Sequence, residues 1–296
     1  MRLLIFGSRG QLGLELAARC RDRNIPITLA SRDGGDIARS DQVIDSVRAA
    51  APTVIINAAA YTKVDKAEED PGTAFRENRD GPAILSQVAA RNDVPLIHLS
   101  TDYVFNGEKE APYTETDIVS PLGVYGASKA AGEEAIRSLW SKHVLIRTAW
   151  AYGRYGNNFL KTMIRLSRAG KELRVVADQY GNPTATVDLA DAVLAVASRA
   201  SAGEAVWGTY HFAGNGTASW YEFACTIMQS LAEMGVSAPP VRPIATGDYP
   251  TLARRPRNSR LCCDLFTERF GITAGRWPLR VREIVRNLLE ERRIEL

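Results

Sequence analysis

Apolar positions in this chain fall into short continuous runs that alternate with stretches of helical spacing. Leu3-Leu4-Ile5-Phe6, closed by Gly7, reads as a buried strand. Leu14, Leu16, Ala17, Ala18 and Cys20 then recur at helical spacing. Residues 25–30 form a second strand, and a helix follows at about 40–50. A third strand at 53–57 runs into the small-residue turn Ala58-Ala59-Ala60, ahead of a helix at about 79–92. A fourth strand at 94–99 delivers Ser100-Thr101-Asp102, a long helix runs to about Trp140, and a fifth strand covers 143–148. Regular alternation of this kind predicts a Rossmann-like, doubly wound parallel α/β sheet with helices on both faces.

Beyond residue 150 the pattern loosens. Helices are expected at about 157–169, 186–199, 218–234 and 278–292, with short strands near 173–176, 209–213 and 241–245. The division expected is a dinucleotide-binding domain at 1–150, with later segments returning to it, and a smaller α/β substrate-binding lobe over most of 151–296.

Composition narrows the function classes. The 296 residues are 45% hydrophobic and 24% charged, which suits a globular protein with a large core. A net charge of +3, with one short basic run at Arg254-Arg255-Pro256-Arg257, does not point to nucleic acid. The four cysteines lack a metal-ligand spacing and read as reduced, packed thiols. The first residues lack a signal-peptide apolar core and no apolar run is long enough to span a membrane, so the expected location is the cytoplasm.

Candidate chemistry begins at Gly7-Ser8-Arg9-Gly10-Gln11-Leu12-Gly13, a glycine turn between the first strand and its helix. Gly7 suits a tight turn, Gly10 lets backbone approach a pyrophosphate at the helix N-terminus, and Gly13 lets helix and strand pack closely. An acid at the end of the second strand would hold the ribose of NAD; here stand Ser31-Arg32, which suit the 2′-phosphate of NADPH. Asp33 and Asp36 pull the other way and keep NADH as the alternative. Asp36-Ile37 reads as an adenine-side contact, and Ala58-Ala59-Ala60 would let a cofactor lie against the backbone. Tyr125 and Lys129 stand four apart and share a helix face, where a lysine charge would lower the phenol pKa. By itself this pair reads more readily as a solvated helix face. His98 alternates within its strand and reads as a core histidine, whereas Thr62 and Asp65 could line a substrate cleft.

Glycine turn, strand-end Ser/Thr and Y-x-x-x-K in this order resemble the extended short-chain dehydrogenase/reductase family. Further strings are similar to its dTDP-4-dehydrorhamnose reductase branch: Ala58 to Glu68, Ser100 to Phe105, Pro121 to Gly126, Arg147 to Trp150, Gly156 to Phe159, Asp178 to Thr184 and Arg255 to Leu261. They span essentially the whole chain. This resemblance implies reduction, by NADPH or NADH, of the C4 keto group of a dTDP-4-keto-6-deoxy sugar. It assigns Tyr125 as proton donor, Lys129 to the nicotinamide ribose and the tyrosine pKa, and Thr101 to the carbonyl. Thr101, Asp102 and Trp150 are expected near the sugar, and Asn158 and Arg257 on the diphosphate side. Tyr103 stands where related dehydratases carry a glutamate, which disfavours water elimination. A sugar-nucleotide epimerase and a non-catalytic regulatory subunit of the same fold are the alternatives. Some relatives form dimers with Mg²⁺ at acidic residues of the interface; Glu15 and Asp188 come into view here, but no ligands are assigned and a homodimer is left open.

Overall fold

The computed structural model describes residues 1–204 and 206–294. All five apolar runs before residue 150 are strands of one sheet: β1 Leu3–Phe6, β2 Ile27–Ala30, β3 Val54–Asn57, β4 Leu96–Thr101 and β5 His143–Thr148. Between them run α1 Gln11–Asp22, α2 Ser40–Ala50, α3 Gly81–Arg91 and α4 Val124–Leu139. The second half adds α5 Phe159–Ser167, β6 Leu173–Val176, α6 Thr186–Ser201, β7 Gly208–His211, α7 Trp220–Glu233, β8 Val241–Ile244 and α8 Trp277–Ile294.

The sheet is parallel throughout, in the order β7-β5-β4-β3-β1-β2. Strand order reverses beside β1, and such a reversal opens a ligand crevice at the carboxyl ends of the strands. The short strand near 209–213 is β7; it extends this sheet by pairing with β5 rather than joining the later strands. Successive side chains of a strand point to opposite faces, so both faces must be covered. Leu3, Ile5, Ile56 and Ile146 pack with Leu16 of α1 and Leu189 and Val193 of α6. Leu4, Phe6, Ile55 and Leu145 pack with Val43 of α2, Leu85 of α3 and Ile136 of α4. Each fully buried Leu, Ile or Phe contributes roughly 1.5–3 kcal/mol. A second core gathers Leu160 of α5, Phe223 and Ile227 of α7 and Val281 of α8 over the parallel pair β6–β8.

The helix expected from 79 starts earlier. Asp70 caps a short helical turn with Pro71 in its first position, and a π-turn at Arg76–Asp80 joins this to α3. The wider turn lets Asn78 bond the Tyr61 backbone and Ser128 of α4, while Glu77 bonds Arg32.

Helix α4 lies unusually close to the end of β4. A Cβ at Gly126 would stand 2.1 Å from the Tyr103 carbonyl oxygen, so only glycine permits the approach. Farther along, Glu133 is wholly buried and accepts from Ser100 Oγ at 2.6 Å, Arg147 Nε at 2.9 Å, Arg147 Nη2 at 2.7 Å and Arg137 Nη2 at 2.7 Å. Burial pushes its carboxyl pKa up, but Arg147 and its other partners outweigh this, and the net shift is downward from 4.5.

Arg147→Met would strand the buried carboxylate and is expected to cost about 3–5 kcal/mol, read from urea denaturation. A loss near zero would show that Glu133 does not depend on Arg147. Because the folded pKa of Glu133 lies below its unfolded value, its contribution is complete above about pH 4.5 and fades as pH falls through the folded value. The acid limb of the stability curve should therefore flatten in Glu133→Gln.

Candidate active site

Strand β1 ends in a turn that only glycine can make at its first position. Gly7 has φ +80°, and a Cβ there would meet the Ala59 backbone nitrogen at 2.4 Å. The close approach opens a cavity of about 240 Å³ lined by Gly7, Arg9, Gly10, Ser31, Arg32, Gly35, Asp36, Ile37, Ala58, Ala59, Ala60 and Glu77. Nine of the residues expected at the cofactor thus surround one space. Gln11, Leu12, Gly13, Tyr125 and Lys129 do not line it. Gln11 donates to the Ala151 carbonyl, Leu12 packs against the core, and Gly13 is buried against the Gly7 carbonyl. Arg9 pairs with Asp33, and Arg32 with Glu77 at 2.7 Å. Both guanidiniums remain largely exposed, at 74% and 69%, and so stay available to an anion at the cavity.

At the carboxyl end of β4, Thr101 Oγ1 donates to Asp102 Oδ1 at 3.0 Å and accepts from the Tyr103 amide. Asp102 is buried, and burial pushes its carboxyl up to about 7 against the hydrogen bonds that lower it. Tyr125 opens α4 opposite, with the Tyr103 ring edge-on to it at 5.8 Å. Burial pushes the Tyr125 phenol up to about 12; the Thr101 hydroxyl opposes that shift and the Asp102 charge adds to it. The phenol is therefore an intact O–H donor throughout the neutral range.

Lys129 departs from expectation. Its amine does not turn to Tyr125 but donates to the Leu99 carbonyl at 2.6 Å and lies 3.1 Å from His98 Nε2. Burial pulls its pKa down to about 8, against the charge of Glu133. The expected lowering of the Tyr125 pKa by Lys129 is absent in this arrangement, and burial of the phenol decides the direction instead.

A larger cavity, about 640 Å³, is lined mainly by the second half of the chain, with Tyr103 from the first. Its lining includes Tyr103, Phe159, Met163, Arg174, Val175, Gln179, Trp220, Tyr249 and Arg255. Trp150 has φ +43°, a strained conformation for a bulky residue, and this turns its indole flat onto Trp220 at 3.5 Å. Asp65 is held by a two-point bond from Arg255, at 2.8 and 3.1 Å. Thr62 is exposed and lines neither cavity. Asn158 caps α5 and bonds Gln11, which places it beside the glycine turn. Arg257 is exposed near Asp178 and is not among the lining residues.

Sequence reasoning passed over Glu77, Trp220 and Arg255. Arg255 stood in the basic run, two residues from the arginine chosen; Glu77 gave no local signal, because a π-turn turns it towards Arg32. The acidic residues considered for Mg²⁺ are engaged elsewhere. Glu15 accepts from Thr186, and Asp188 is bound by Arg280 at 2.7 Å. Among the described residues no group of three His, Cys, Asp or Glu is placed to hold a metal ion, and no helix is long and apolar enough to cross a membrane.

The chain is similar to known proteins over nearly its whole length. Residues 1–290 match the model of the RmlD substrate binding domain family. A dTDP-4-dehydrorhamnose reductase of Sinorhizobium fredii is 45% identical over 98% of this chain and 99% of its own. The crystal structure of a dTDP-4-dehydrorhamnose reductase from Clostridium acetobutylicum superposes with a TM-score of 0.90 at 38% identity, covering 98% of this chain and all of that one. One from Bacillus anthracis, solved in complex with NADP, has a TM-score of 0.90 at 34% identity, covering 97% of this chain and 99% of that chain. The chain therefore belongs to the dTDP-4-dehydrorhamnose reductase family of oxidoreductases.

Proposed function

We propose that the chain reduces the C4 keto group of dTDP-4-dehydro-6-deoxy-L-mannose (dTDP-4-dehydro-L-rhamnose) to dTDP-L-rhamnose, with NADPH as reductant. One observation carries this reading. A protonated phenol and a hydroxyl meet at the carboxyl end of β4, and Tyr103, packed on that phenol, lines the larger cavity. When bound, a reduced nicotinamide supplies the hydride. Tyr125 donates its phenolic proton to the oxygen of the new alcohol, and Thr101 hydrogen-bonds the same oxygen as charge develops there. The glycine turn and Ala58–Ala60 hold the dinucleotide, and Arg32, with Arg9 nearby, meets a 2′-phosphate. The Trp150–Trp220 stack offers an apolar wall to the sugar, and Arg255, in the lining of the larger cavity, offers a guanidinium to the diphosphate, with Arg257 exposed two residues on.

Mixing the purified chain with dTDP-4-dehydro-L-rhamnose and NADPH should consume NADPH in step with substrate. A folded, cofactor-binding chain that consumed none would overturn the reading; cofactor retained through purification with no net oxidation would indicate an epimerase. Tyr125→Phe is expected to lower kcat by about 10²–10⁴-fold while leaving NADPH binding intact. Arg32→Ala should weaken NADPH by about 10- to 100-fold and leave NADH nearly unchanged, measured by fluorescence titration. Equal losses for both cofactors would remove the role of Arg32 in phosphate recognition.

A further inference from the structure

His98 sits in the middle of β4, wholly buried, and its two ring nitrogens face groups on opposite sides. Asn57, at the end of β3, has its orientation fixed by a neighbour. Its Oδ1 accepts the Ala59 amide at 3.0 Å, so its NH₂ is the end that faces His98 Nδ1 at 2.9 Å. Nδ1 is then an acceptor, and a neutral imidazole that accepts at Nδ1 carries its hydrogen on Nε2. Burial holds the imidazole pKa well below 6.5, so the ring is neutral.

Nε2 faces the Lys129 amine at 3.1 Å. An ammonium has hydrogens but no lone pair, and two donors cannot share that contact; a neutral amine has the lone pair that His98 Nε2–H requires. The second bond of Lys129, to the Leu99 carbonyl, suits either form.

We propose that His98 is a positioning residue that makes the place of Lys129 depend on its charge. The neutral amine is held against β4 by the Nε2–H bond. Uptake of one proton from solvent occupies the lone pair, breaks that bond and frees the ammonium towards Tyr125, one turn earlier on the same face of α4. Asn57 fixes the tautomer, and its bond to Ala59 ties the set to the wall of the smaller cavity.

Other groups near Lys129 leave the contact to His98. On its own helix Glu133 is saturated by Ser100, Arg137 and Arg147, and Tyr125 is protonated. Behind His98, His143 of β5 bonds the Trp140 carbonyl through Nδ1. On the remaining sides of α4, Asn78 donates to Ser128 and Glu68 accepts the Val124 amide. Lowering of the Lys129 pKa to about 8 places the exchange within reach of ordinary conditions.

The role assigned to Lys129 rests on the reductase reading, but the tautomer does not. The chain has three histidines. His143 and His211 each face a carbonyl through Nδ1, and His211 Nε2 faces Arg147, so both should be Nδ1–H tautomers. In long-range ¹H–¹⁵N spectra of the ¹⁵N-labelled full chain, one ring is expected as the Nε2–H tautomer, and His98→Gln should remove it. Its signals should move as pH passes through the Lys129 pKa, and this movement should vanish in Lys129→Met. An Nδ1–H ring at His98, or a signal flat through that range, would overturn the inference and leave the reductase reading intact. Absence of turnover with the dTDP sugar would do the reverse. In the pH profile of kcat, His98→Leu removes the donor that stabilises the neutral amine, so the alkaline fall should move to higher pH. His98→Gln, which offers a donor or an acceptor, should restore much of the original profile. A profile unmoved by His98→Leu would count against the inference.

Discussion

Burying one carboxylate organises the centre of this molecule. Glu133 lies one turn beyond Lys129 on α4 and has no water to solvate it. It reaches Ser100 beside Thr101 on β4 and Arg147 on β5, and Arg147 in turn lies 3.3 Å from His211 on β7. An unpaired charge in such a place would be prohibitive, so helix and strands must keep the distances that satisfy it. That requirement seats α4 on the end of β4, and the seat needs glycine at position 126. Tyr125 and Thr101 face each other as a result.

Burial then sets the chemistry of the site more than any neighbouring charge does. It raises Tyr125 to about 12 and Asp102 to about 7, and it lowers Lys129 to about 8. All three shifts favour the uncharged form, as desolvation requires. The phenol stays protonated through the neutral range, and the lysine sits close enough to neutrality for its hydrogen-bond partners to matter. Catalytic groups on short-lived charges benefit from surroundings of this kind, where preorganised donors act without competition from water.

The second half of the chain is part of the same device. Helix α6 closes one face of the sheet, β7 extends its edge beside β5, and the helices around β6 and β8 make one wall of the larger cavity. Gln11 in the first turn of α1 bonds both Ala151 and Asn158, so the glycine turn and the start of the second half are held together directly.

How much of this was legible beforehand depends on the range of the forces involved. Strand runs, the glycine turn and Y-x-x-x-K are local patterns, because a strand's period, a turn's φ and a helix face involve residues a few positions apart. They sufficed for the parallel sheet and for nine residues of the smaller cavity, while the family rested on the resemblance of longer strings along the whole chain. The direction of Lys129, the engagement of Asp65 by Arg255, the turning of Glu77 to Arg32, and the engagement of Glu15 by Thr186 and of Asp188 by Arg280 came only with the folded chain. Each is a contest between partners far apart in sequence, decided by desolvation and hydrogen-bond satisfaction in three dimensions. His98 shows the boundary most clearly: its alternation in β4 determined that it would be buried, but only packing against Asn57 and Lys129 decided which of its nitrogens carries the hydrogen.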